Sequence, residues 1–144
     1  MKPVLVSGLF ILILWSATAA APPVQSSPAG YYYCVFDRGT ADGGNGSTLR
    51  IWLGEHGVVQ EASGFLRNRD HFCRYLTSSP GQYVVDAGNI QAMVVLNGAR
   101  GLFCPQSLRE AQVMVSIRPG LGQSTMESPA GNSVGQCSWL PANH

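Results

Sequence analysis

At 144 residues and a formal charge of +1, the chain holds material for one domain with a single core. Its one lysine, Lys2, lies in a predicted leader, so the remainder sets eight arginines against eight carboxylates, and no basic surplus points to nucleic acid or an anionic membrane. The missing lysine also excludes Schiff-base and P-loop chemistry, both of which require that amine.

Residues 1–20 read as a signal peptide: Lys2, then an apolar run through residues 4–15, then small residues around a cleavage site at Ala17-Thr18-Ala19 or Ala20. A signal anchor is the alternative, but the run is short for a span, and no later stretch approaches the ~20 apolar residues a membrane helix needs. Residues 21–30, rich in Pro, Ser and Ala, form a disordered lead-in. The body of the domain spans 31–118. Aromatic and β-branched residues 31–36 predict a strand, and 40–47 a loop carrying the glycosylation sequon at Asn45. In 48–53, Leu49, Ile51 and Leu53 alternate with Thr48, Arg50 and Trp52, a second strand. A turn at 54–57 leads to a short return strand at Val58-Val59.

Residues 61–76 predict the main helix. Phe65, Leu66, Phe72, Cys73 and Leu76 fall in one stripe at 3.6 residues per turn, and Ser78-Ser79-Pro80-Gly81 ends it. A meander follows: a strand at 83–85, a turn at 86–89, a strand at 93–96, a type I′ hairpin at Asn97-Gly98 and a return strand at 99–103. A short helical turn covers 104–110 and a further strand 113–117. Residues 119–144 read as a Gly/Ser/Pro-rich tail without an apolar face, anchored by Cys137. The fold class is therefore α+β, one helix on an antiparallel sheet stapled by two disulfides.

Four cysteines behind a leader predict two disulfides in one of three pairings, and loop entropy does not separate them. The tail's Cys137-Ser138-Trp139-Leu140 suits an anchor back to the first strand. This favours Cys34 with Cys137, leaving Cys73 with Cys104 to join helix to sheet. Glu55-His56 is the most acid–base-like pair, although adjacent residues in an extended segment point apart, and a polar hairpin turn explains them. His71-x-Cys73 falls short of a zinc set and its cysteine is used in a disulfide, so neither metal nor cofactor is predicted. Tyr31, Tyr33, Trp52 and Trp139 are the candidate interface residues, for stacking on sugars or as an interaction hot spot.

The leader, the lead-in, Tyr32-Tyr33-Cys34 opening the domain and a last cysteine near the end together resemble small secreted fungal effectors. The likeness extends to the ribonuclease-like type with its Tyr-x-Cys motif, and equally to smut-type effectors. It covers residues 31–117 and carries over Tyr32, Cys34 and Cys137, while the two extra cysteines and the long tail depart from it. The resemblance implies a monomeric virulence protein, secreted and then able to enter host cells, that binds and perturbs a host protein without catalysis. The other expectations are a ribonuclease-like enzyme using His56, Glu55 and an arginine, and an extracellular glycan-binding module using the aromatic residues.

Overall fold

The computed structural model describes residues 28–39, 46–119 and 122–140. Asn45 and the predicted leader fall outside them. The strands are β1 (Gly30–Gly39), β2 (Ser47–Leu53), β3 (Val58–Arg67), β4 (Phe72–Tyr75), β5 (Thr77–Asp86), β6 (Asn89–Asn97), β7 (Arg100–Phe103), β8 (Ala111–Ile117), β9 (Ser124–Ser128) and β10 (Gly131–Leu140). The order β2-β1-β10-β9-β8-β6-β5-β3 closes on itself through β2–β3, so eight antiparallel strands make a barrel. β4 and β7 extend from β3 outside the ring.

Period-two alternation fills that barrel. Leu49, Ile51 and Leu53 of β2, Ile90, Ala92, Val94 and Leu96 of β6, and Val113, Val115 and Ile117 of β8 are all buried. Eight strands leave an interior just wide enough for side chains to fill, and here they are mostly apolar, with Ser47, Ser124 and Ser133 the buried polar residues among those described. Arg50, Glu61, Gln91, Gln112 and Glu127 stand on the outside, together with the exposed apolar residues Val35, Val84, Val85, Met93 and Met114. Among the described residues no helix is long and apolar enough to cross a membrane.

The α+β expectation is overturned. Residues 61–76 are not a helix but most of β3, a turn and β4, and the only helical element described is a 3-10 turn at Gln106–Leu108. Asn68 breaks the helix: its N–H donates to the His71 carbonyl, and its Oδ1 accepts the N–H groups of Asp70 (2.9 Å) and His71 (2.6 Å). The predicted stripe splits between the two faces of a sheet. Leu66 and Cys73 pair in register and are buried, whereas Phe65 and Phe72 stack outside with centroids 5.3 Å apart. Gly64 fits this strand because a Cβ there would lie 2.2 Å from the Thr48 carbonyl oxygen of β2. Among the described residues the helix-on-sheet arrangement implied by the ribonuclease-like resemblance is accordingly absent.

Nor are residues 124–140 a loop. They form β9 and β10, and β10 pairs with β1 from Tyr31↔Leu140 to Gly39↔Ser133 to close the barrel. Their inward positions are Ser124, Met126, Ser133, Gly135 and Cys137, mostly too small and polar to register as an apolar face. A Cβ on Gly135 would lie 1.9 Å from the Val35 carbonyl oxygen, so the closing strands approach more tightly than a side chain permits. Cys34 and Cys137 face each other across this seam and are joined by a disulfide.

Two further segments depart from expectation, while the turn predicted at 86–89 is present. Ser78 to Gly81 continue β5, with an irregularity between Ser79 and Gln82, instead of ending a helix. At Asn97-Gly98 only Gly98 has positive φ, and the next strand, β7, pairs with β4 instead of folding back on β6. The two-residue hairpin with both φ values positive is at Ala87-Gly88, between β5 and β6. The second disulfide, Cys73–Cys104, ties β4 to the segment after β7. Beside it Tyr75, 1% exposed, donates its hydroxyl hydrogen to the Leu108 carbonyl, and burial pushes its phenol up to about 12.

Candidate functional site: an aromatic and arginine groove outside the barrel

The outward residues of β1, β2 and β3 form cross-strand rows. Tyr31 pairs with Trp52, which pairs with Glu61; Tyr33 pairs with Arg50, which pairs with Ser63; Thr48 pairs with Phe65, which pairs with Arg74 of β4. Neighbouring strands lie about 4.8 Å apart and successive same-face residues about 6.8 Å apart, so these rows make one continuous surface. Tyr31 and Trp52 stack with centroids 4.9 Å apart and planes 18° from parallel. The Arg50 guanidinium carbon lies 5.5 Å from the Tyr33 ring centroid, and that of Arg74 lies 5.7 Å from the Phe65 centroid. Both arginines are exposed, and neither makes an ion pair among the described residues.

Two depressions run along this face and share Tyr33, Arg50 and Ser63. One of about 520 Å³ is flanked by Tyr31, Trp52, Glu61 and Leu140, and the other continues to Phe65 and Arg74. The floor is rigid because β1 and β2 are paired on both sides throughout it. β3 pairs with β5 only at Val58 and Val59 and with β4 from Gly64, and in the gap between them the Ala62 N–H donates to Ser78 Oγ at 2.7 Å. The groove can therefore offer stacking faces, guanidinium forks, a hydroxyl and one carboxylate.

Of the four candidate interface residues, Tyr31, Tyr33 and Trp52 come together here. Trp139 does not. It pairs with the inward-facing Tyr32, is 54% exposed and stands at the barrel's end, where its Nε1 would be 2.5 Å from a Cβ on Gly30. Sequence reasoning missed Phe65 and Arg74 because they lay in the predicted helix, whereas Arg50 was legible as the neighbour of Trp52 in the alternation of β2.

Glu55 and His56 are exposed in the tight turn between β2 and β3, with His56 at φ 60°, and neither lines these depressions. Cys73 is consumed by its disulfide, which removes it as a ligand beside His71. On the opposite side of the barrel a depression of about 350 Å³ exposes Val84, Met93 and Met114 with Gln91 and Glu127. It is apolar and adaptable but lacks an exposed ring and a cation. The two disulfides indicate an oxidising, extracellular-type environment. No protein-family model matches the chain, and neither a curated protein nor a solved structure is significantly similar to it.

Proposed function

We propose that this is a secreted, non-catalytic binding module that takes a glycan chain in the groove over β1, β2 and β3. The observation that carries this reading is the Tyr31–Trp52 stack set directly beside Glu61, Ser63 and Arg50. The C–H faces of a sugar ring are weakly electropositive and pack on the negative face of an aromatic ring, while its hydroxyls need donors and acceptors around the rim. The groove supplies both. A paired floor also favours a ligand recognised through its own side groups over a peptide that adds a strand.

A host protein docking on the same face, as a secreted effector would use it, is the second reading. It draws on the concentration of Trp, Tyr and Arg, the residue types that dominate interaction hot spots.

Retention of the oxidised protein on a panel of insoluble and soluble polysaccharides tests the first reading. Trp52→Ala is expected to weaken retention by about tenfold to a hundredfold. Trp139→Ala, at the barrel's end, is expected to leave it unchanged. Loss with Trp139→Ala alone would reject the groove, and failure to bind any polysaccharide together with capture of one host protein would favour the second reading.

A further inference from the structure

We propose that the glycan taken by this groove is acidic, a chain bearing uronic acid carboxylates, with Arg50 and Arg74 as the groups that read them. This rests on the glycan reading above and adds the charge of the ligand. Each guanidinium lies over a ring, Arg50 over Tyr33 and Arg74 over Phe65. A ring contact holds the planar fork in place while leaving its N–H edge free, and that edge matches a carboxylate bidentately. Neither arginine spends that edge on an acid of this chain among the described residues. Beyond them, Arg74 pairs in register with Arg100 of β7, and Phe72 with Arg67 of β3. Arg67 and Arg100 stand on these neighbouring strands outside the two depressions, so the cations of the groove itself are Arg50 and Arg74.

The groove is graded along its length. Its aromatic end carries Glu61, an acceptor for sugar hydroxyls, and its arginine end carries the cations. A ligand with hydroxyls and carboxylates along one chain satisfies both ends. An acidic peptide cannot add a strand to β1 or β2, which are paired on both sides, and a nucleic acid strand would bring a phosphate against Glu61 beside the stacking platform.

The test is calorimetric titration of the oxidised protein with oligogalacturonate, its fully methyl-esterified form, neutral chitin oligosaccharide and oligothymidylate, with Arg50→Gln/Arg74→Gln in parallel. Oligogalacturonate is expected to bind about tenfold or more tightly than its ester, and the preference is expected to vanish in the double variant and to shrink at high salt. An unchanged thermal midpoint will show that the surface variant folds. Equal affinity for acid and ester, or a preference that survives the double substitution, overturns the inference and leaves the glycan reading standing. Tighter binding of oligothymidylate than of oligogalacturonate overturns the inference, and no binding to any sugar removes both.

Discussion

Replacing Cys34 and Cys137 together by alanine is expected to cost about 4 to 5 kcal/mol of stability. The bond closes a loop of 103 residues, and the chain-entropy relation assigns about 4.7 kcal/mol to a loop of about a hundred. Its position adds to the loop term. β1 and β10 are the first and last strands described, and their pairing joins the two ends of the chain's strand meander within the ring. Cys34 is fully buried, so the truncated sulfurs also leave unfilled volume in the core. The Cys73–Cys104 bond closes 31 residues, for which the same relation gives about 3.7 kcal/mol, and it fastens the extension outside the ring. Guanidinium unfolding of the two double variants, followed by tryptophan fluorescence, separates the roles. The lower midpoint is expected for the variant without the seam bond, and the reverse order would show that the β4–β7 extension governs the fold.

Alkaline pH is expected to remove a further 2 to 3 kcal/mol, roughly, in the window from pH 10 to 12. Tyr75 titrates at about 12 when folded, because burial disfavours the phenolate, against an ordinary value of 10 when unfolded. The folded state therefore holds that proton more tightly. Its contribution is complete below pH 10 and is lost as pH rises through 12. Tyr32 has the same sign, raised by burial and then by the neighbouring Tyr83. Stability measured in urea should thus be flat up to about pH 9 and fall beyond it. Tyr75→Phe should flatten part of that fall while losing about 1 kcal/mol at neutral pH, where the Leu108 carbonyl loses its donor. An identical alkaline slope in wild type and variant would contradict the assignment.

The strands with strong inward alternation were legible in the sequence. β2 and β8 present aliphatic residues at every second position, and β1 opens with Tyr31 to Phe36 much as composition suggests. The helix over 61–76 failed for a specific reason. Phe65-Leu66 and Phe72-Cys73 are adjacent apolar pairs, and one pair per strand, with one member on each face, has the same spacing as a helical stripe. The hydrogen bonds of Asn68 decide between the two, and they depend on a turn that periodicity does not sense. β10 was hidden for the opposite reason, since its inward positions include Ser133 and Gly135, and at Gly135 the seam has no room for a Cβ. At the groove, Tyr31, Tyr33 and Trp52 follow from alternation, whereas excluding Trp139 and including Phe65 and Arg74 requires the register between strands.

The proposed glycan site lies on the outside of the barrel, over β1, β2 and β3. Backbone amide chemical shifts followed by nuclear magnetic resonance during titration with oligogalacturonate test it most directly. The largest changes are expected on Tyr31, Tyr33, Arg50, Trp52 and Ser63, with Val84, Met93 and Met114 unmoved. Changes confined to the Val84, Met93 and Met114 face, or to Trp139 at the barrel's end, would contradict it.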